Sequence, residues 1–231
     1  MKPFLMHAKW LLLAALIPAL ASCKIEGSDS VVQDKIWTRY VLEYNADDDA
    51  TYARAQFRFS NPTGTLLQLT APAEVTFNGD AMTFNAVLGY YEKKYAGMVA
   101  SGTFRYEDLD GGVFENALTV ADAIAFPASL DSISQAAAFD LAWTGNAIGG
   151  DDLVTVSIDG ENQGDLQIFL TDTPNAASIV LNKDKLQRLG TGPAKIFMNR
   201  EYRPEIGQAP GAGGELIGRH VAEFKDIVIV P

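Results

Sequence analysis

Strict alternation of apolar and polar residues, broken by turn signals every ~8–12 residues, is the feature that most narrows the fold. Tyr40, Leu42 and Tyr44 alternate with Val41 and Glu43. Ala53, Ala55, Phe57 and Phe59 alternate with Tyr52, Arg54, Gln56 and Arg58. Successive strand side chains point to opposite faces, so the second segment has one apolar face and one charged or polar face. That is the pattern of a half-buried antiparallel strand. Asn78-Gly79, between Val75-Thr76-Phe77 and Ala81-Met82-Thr83-Phe84, predicts a hairpin because both residues tolerate positive φ. Asp108-Leu109-Asp110-Gly111-Gly112 predicts another turn, between Gly102–Tyr106 and Val113–Val120.

The pattern restarts after Asp122–Ser129, a stretch carrying Pro127 that reads as a boundary between a β-rich domain (35–125) and a second one (126–231). Leu141 and Trp143 precede a Gly-rich turn, Gly145–Asp152. Val154, Val156 and Ile158 then point one way, with Thr155 and Ser157 the other. Leu166, Ile168 and Leu170 repeat the alternation, and Ile179–Leu181 is a short strand. Asp184–Leu189 offers one helical turn, stopped by Gly190. Ala194–Met198 and Ile227–Val230 supply the last strands, with the Gly-rich loop Gln208–Gly214 between them.

Leu141-Ala142-Trp143, the Val154–Ile158 strand, and Leu186-x-x-Leu189-Gly190 ahead of the Ala194 strand resemble bacterial immunoglobulin-like or fibronectin-III-like domains. The resemblance implies that Trp143 plugs a core and that a helical turn crosses between sheets. It departs from the family at the tyrosine corner, since Ile196 and Phe197 lie where a Tyr would be sought. The expected fold is all-β: an antiparallel β-sandwich, as two Ig-like domains, with a single sandwich spanning both halves as the alternative.

Ahead of this body stand Lys2 and Lys9, an apolar run from Trp10 to Leu20, and the small residues Ala21 and Ser22 before Cys23, the one cysteine of the chain. Leu20-Ala21-Ser22-Cys23 resembles a bacterial lipobox. The resemblance implies a signal peptide over 1–22, cleavage before Cys23, diacylation of its sulfur, and a lipidated tether over 23–34. The membrane is then a partner through the N-terminal acyl chains, since two or three chains hold where one binds only marginally. Lys24, where an Asp favours inner-membrane retention, points to the outer membrane. A plain secretory signal with a coincidental cysteine, or a cytosolic helix, is the alternative.

Loss of residues 1–22 would leave sixteen basic residues against 29 acidic ones, a net charge of −13 over 209 residues. Such a balance argues against nucleic acid, whose phosphates need clustered Lys and Arg. A lone acylated cysteine forms no disulfide, so burial and hydrogen bonds must hold the core.

Chemistry-bearing constellations are sparse. His220 is the only histidine besides His7, which leaves with the signal, and reads as a surface or strand-edge residue. Neither a Gly-x-Ser-x-Gly elbow nor a phosphate-binding loop is present, so no catalytic residue and no cofactor is assigned. Asn45-Ala46-Asp47-Asp48-Asp49 makes Asp47 and Asp49 the weak candidates for Ca²⁺. Ala50 and Gln56 break the EF-hand pattern, and a solvated hairpin loop is the favoured reading. Tyr90, Tyr91 and Tyr95, clustered around Lys93 and Lys94, are the binding candidates, read as an exposed loop whose rings meet a protein or a sugar face. The function expected is a non-catalytic binding or structural module of the cell envelope, with an envelope protein or glycan as partner. The alternatives are a glycan-binding accessory lipoprotein and a carboxylate-dependent hydrolase.

Overall fold

A computed structural model describes residues 25–162 and 164–231; the expected signal peptide and the lipidation site Cys23 lie outside them. Strand takes 53% of the chain and helix 5%, so the chain is all-β, with antiparallel sheets packed as a sandwich. The first half carries β1 (Ile25–Gly27), β2 (Ile36–Asn45), β3 (Ala50–Phe59), β4 (Leu66–Gln68) and β5 (Glu74–Phe77). It continues with β6 (Asp80–Ala81), β7 (Thr83–Asn85), β8 (Tyr90–Ala96), β9 (Ser101–Glu107) and β10 (Val113–Thr119). The second half carries β11 (Ile124–Ala125), β12 (Ser132–Ser134), β13 (Phe139–Ala142), β14 (Thr144–Gly145) and β15 (Asp152–Asp159). After β16 (Gln167–Thr171) and β17 (Ser178–Leu181) come the one-turn helix α1 (Lys183–Leu186), then β18 (Gly192–Tyr202), β19 (Gly214–Val221) and β20 (Lys225–Val230).

A large sheet runs β1-β4-β3-β2-β19-β18-β15-β16, with β8 and β7 along the rest of β3, and β20 and β12 beside β18. The pairs β1–β4, β2–β19 and β12–β20 are parallel and the rest antiparallel. A second sheet, β10-β9-β5-β6, covers the first half. Its core is a net of rings. Tyr40 stacks on Phe104 at 5.0 Å, Phe57 lies 4.6 Å from Tyr106, and Phe77 lies 4.7 Å from Phe104. Rings of β2 and β3 thus interleave with those of β9 and β5, as inward residues of two facing sheets do. Such pairs add ~0.5–1.5 kcal/mol each beyond their buried area.

The second half has an aliphatic core. Val154, Val156 and Ile158 of β15 pack with Ile196 and Met198 of β18, Leu181 of β17 and Leu186 of α1. Trp143 is buried among them, its indole N–H donating to the Asn146 carbonyl at 3.1 Å. The helical turn is capped by Asn182, whose side chain accepts from the Lys185 N–H, and it buries Leu186 and Leu189. The expected Asn78-Gly79 hairpin is present, with both residues at positive φ (51° and 82°).

Two expectations are corrected. Residues 23–34 were expected to be a tether, yet Ile25–Gly27 already pairs with Leu66–Gln68. Ser28 and Gln33 are buried, the Thr70 N–H donates to Ser28 Oγ at 2.9 Å, and Gln33 Nε2 donates to the Ser28 carbonyl at 2.8 Å. From Ile25 onward the segment belongs to the folded body. The other correction is β19: the last strands expected are Ala194–Met198 and Ile227–Val230, and a further one starts at the end of the Gln208–Gly214 loop. It runs in register with β2 from Gly214–Thr38 to Val221–Asn45 and joins the two halves into one sheet. Gly218 hides the strand's pattern for a steric reason. A Cβ there would lie 1.8 Å from the Thr119 carbonyl oxygen, where the linker into the second half crosses the sheet.

Candidate functional site

The tyrosine-rich stretch is strand β8, not an exposed loop, and its rings do not share a face. Tyr91 points inward, 5.7 Å from Phe57 and 5.0 Å from Phe84, and its hydroxyl accepts from the Leu69 N–H at 2.7 Å. Tyr95 lies on the same side, donating to the Phe77 carbonyl (3.2 Å) and meeting Asp80 (3.0 Å). Burial and that carboxylate push its hydroxyl up to about 12. Tyr90 alone of the three turns to the outer face. Three rings that alternate on a strand cannot form one platform.

On that outer face, Glu92 of β8, Arg54 of β3, Glu43 of β2, Arg219 of β19 and Glu201 of β18 alternate in sign across five adjacent strands. Their links are 2.7, 2.9, 2.6 and 2.6 Å. Arg203 closes the row, its Nε donating to Glu201 at 2.8 Å. Burial alone would raise the Glu201 carboxyl, but Arg219 and Arg203 outweigh it and hold it below the usual carboxylate range. The Glu43–Arg219 pair crosses the seam between the halves. Tyr52 and Tyr90 flank Arg54, whose guanidinium lies 4.7 and 5.4 Å from their ring centroids. A shallow cavity of about 160 Å³ opens there between Arg39, Arg54, Arg219 and Tyr90.

Asp47 and Asp49 sit in the β2–β3 turn and diverge. Asp47 accepts from the Phe224 N–H at 3.1 Å, and Asp49 from the Tyr44 hydroxyl at 3.0 Å. Among the described residues no group of three or more His, Cys, Asp or Glu is placed to hold a metal ion. Asp108 spends its carboxylate on the turn, accepting from the N–H groups of Asp110 and Gly112.

His220 is neither a surface nor an edge residue. It is 7% exposed on β19, between β2 and β18, with its ring 5.5 Å from Tyr44. Its Nδ1 has no hydrogen-bond partner, and burial pushes the imidazole pKa down. The ring lines a cavity of about 660 Å³ at the seam, walled mainly by Ala123, Ala125, Phe126 and Phe224. Sequence reasoning also passed over Arg200, a fully buried side chain. It is held by the Asp152 carboxylate and by the carbonyls of Asn146 (2.8 Å) and Ala147 (2.9 Å). A lone arginine inside an apolar alternation, eight residues after a strand's first residue, carries no sequence signal of its acid.

At the far edge of the large sheet, β16 presents a different surface. Phe169 faces the core, so Leu166, Ile168 and Leu170 face outward at 51, 44 and 61% exposure. Val180 of β17 is exposed as well. Beyond β16 no further strand pairs among the described residues. Lys185 Nζ donates to the Ile168 carbonyl on that strand's backbone.

No family model matches the sequence, and no curated protein matches it. Among solved structures, one concerned with host cell surface retention of a 1.5-MDa bacterial ice-binding adhesin is 14% identical, with a TM-score of 0.27 over 84% of this chain and 65% of that one. Salmonella alpha-2-macroglobulin reacted with methylamine is 9% identical, with a TM-score of 0.28 over 84% of this chain and 14% of that one. A tetra-tandem repeat from the extending region of a large adhesion protein is 11% identical, with a TM-score of 0.28 over 82% and 49%. The chain spans less than two thirds of the length of each. Superpositions this loose fix neither family nor function.

Proposed function

We propose that the chain is a lipid-anchored protein of the bacterial envelope, held in the outer membrane through acylated Cys23, and that it acts as a non-catalytic binding module. The observation that carries the binding half is the β16 edge. An outward row of Ile168 and Leu170 on edge strand β16, with Leu166 just before it, offers backbone donors and acceptors on its open edge together with apolar contacts. That combination suits addition of a strand from a partner protein. The deep carboxylates argue against the hydrolase reading. Glu43 is held by Arg54 and Arg219, and Glu201 by Arg219 and Arg203, so both carboxylates are engaged by guanidinium groups.

The test is a photo-crosslinking residue at Ile168 of the full chain in its native envelope. One discrete adduct, sharply reduced when Leu166 and Leu170 become serine, is expected. No adduct, with palmitate still incorporated at Cys23, would overturn the binding surface and leave the anchor standing.

A glycan reading has one observation in its favour. Tyr52 and Tyr90 bracket Arg54 on the outer face, a ring–guanidinium–ring row able to stack on sugar faces. Replacing Tyr52 and Tyr90 together by Ala, with stability unchanged, would abolish glycan-array signal on that reading and leave the Ile168 adduct intact.

A further inference from the structure

The exposed apolar residues are not scattered evenly. The loop between β7 and β8 carries Val87, 94% exposed, and Leu88, 55% exposed, at its tip. Asn85 shapes that tip, its Oδ1 accepting from the N–H groups of both Val87 and Leu88 at 3.1 Å. Gly89 closes it, with the Gln56 side chain donating to the Gly89 carbonyl at 3.1 Å. Gln56 also accepts from Arg58 Nε at 2.9 Å, and Arg58 donates to the Gly64 carbonyl at 2.9 Å, which ties the tip to the neighbouring turn. The apolar tip is therefore held out by a built scaffold. A Val almost fully in water and a Leu more than half so, side by side on an ordered loop, call for a covering surface.

What covers them follows from where the chain enters the fold. Ile25 lines the same cavity of about 440 Å³ as Val87, Leu88 and Leu66. Cys23 is two residues before Ile25 in the sequence, a chain span of at most about 7 Å. The same end of the sheet exposes Phe59, at the close of β3, and Val32, just before β2. The opposite end of β2 carries the acidic β2–β3 turn and continues into the second half. One end of the molecule thus combines the expected acyl attachment, the apolar tip and further exposed apolar side chains.

We propose that Val87 and Leu88 insert into the lipid surface to which Cys23 is anchored, forming a second, non-covalent contact that sets the body's orientation. The inference rests on the lipid-anchor reading and deepens it. A single tether leaves a body free to tumble above the membrane. A tip beside it fixes one end down and points the second half, with the β16 edge, away from the bilayer. Burial of two aliphatic side chains adds to the acyl anchor without replacing it, as apolar side chains of peripheral proteins do at the acyl boundary.

The experiment uses the full-length chain expressed in a bacterial host. The mature lipoprotein is purified and placed in phosphatidylethanolamine–phosphatidylglycerol vesicles containing phospholipid brominated in the acyl chains. Two variants are compared, Val87→Trp at the tip and Val180→Trp at the far half, each against wild type to subtract Trp37 and Trp143. The tip tryptophan is expected to lose most of its added emission to bromine and to shift blue, while the Val180→Trp signal stays unquenched. Palmitate labelling at Cys23 is read on the same samples. Labelled protein whose tip tryptophan is no more quenched than the distal one overturns the inference and leaves the anchor standing. Unlabelled protein overturns the anchor and the inference with it. A second variant, Val87→Ser with Leu88→Ser, should leave palmitate labelling and thermal unfolding unchanged. In vesicles it should lower the bromine quenching of a tryptophan placed at Val32, exposed at the same end of the sheet; unchanged quenching there counts against the contact.

Discussion

Strands β8 and β16 read alike as sequence and differ in the fold. Each sets bulky residues side by side, Tyr90-Tyr91 in β8 and Ile168-Phe169-Leu170 in β16, so residue type alone does not say which face is inward, and both lie on the large sheet. In β8 the stretch expected to meet a partner turns two of its three rings inward, with Tyr91 built into the ring net around Phe57. In β16 the leucine and isoleucine set faces water and the single Phe169 faces the core. The difference is one of register. A period of two divides a strand into two faces, but only the neighbouring strands decide which face meets the core. β8 lies against β3, whose inward residues Ala53 and Ala55 leave room for Tyr91. β16 pairs Phe169 with inward Val156, which forces its neighbours Ile168 and Leu170 outward.

The largest effect tests the inward assignment. Tyr91→Ala should cost ~3–5 kcal/mol, since it removes a buried ring from a packed aromatic net. Tyr91→Phe should cost less, ~1–3 kcal/mol, because it leaves the Leu69 N–H without its acceptor. Urea unfolding of both variants reads the two terms separately. A Tyr91→Ala loss below ~1 kcal/mol would place that ring on the surface and erase the contrast with β16.

The same logic marks what was legible in the sequence. The all-β class, the Asn78-Gly79 hairpin, the β2–β3 pair and the helical turn were all readable, because each rests on local chemistry: side-chain period, turn φ preference or a helix stop; the Trp143 core position was implied only by the resemblance to immunoglobulin-like domains. What stayed hidden is non-local. Arg54, Glu43 and Arg219 meet because β2 pairs in parallel with a strand more than 170 residues later, and no local pattern announces that pairing. The strand itself was obscured by Gly218, retained for a close backbone crossing. His220, expected at the surface or a strand edge, is interior for the same reason. The candidate site was legible only as residue types; which rings share a face depends on register.

His220 supplies the next effect, and its sign can be stated. Burial depresses the imidazole pKa in the folded state, so the unfolded chain takes up a proton first as pH falls through about 6.5. The folded state therefore keeps its full stability above that pH and loses it progressively as pH drops toward the folded value. Thermal unfolding of the purified protein should show Tm falling between pH 7 and 5. The variant His220→Phe should flatten the part of that slope due to this ring. If the slope is unchanged in His220→Phe, the imidazole is protonated as readily when folded as when unfolded, and its place beside Tyr44 is solvated.

The smallest effect on stability is the one that matters most for the proposed function. Leu166, Ile168 and Leu170 are each about half exposed, so their replacement by serine removes only part of the transfer energy a core residue would lose. The triple variant should cost less than about 1 kcal/mol per site, far below Tyr91→Ala, because the contacts of Phe169 and of α1 remain. Its effect on association should run the other way. Serine at all three positions strips the apolar row from an unpaired edge while leaving the backbone of β16 intact. A partner that adds a strand there would lose its side-chain anchors and keep its hydrogen bonds, so binding should weaken rather than vanish. Retained crosslinking at Ile168 in the Leu166→Ser, Leu170→Ser variant would mean that the backbone alone holds the partner. A large loss of stability with no change in crosslinking would mean that β16 packs against the body, as β8 does, and that the two strands do not differ after all.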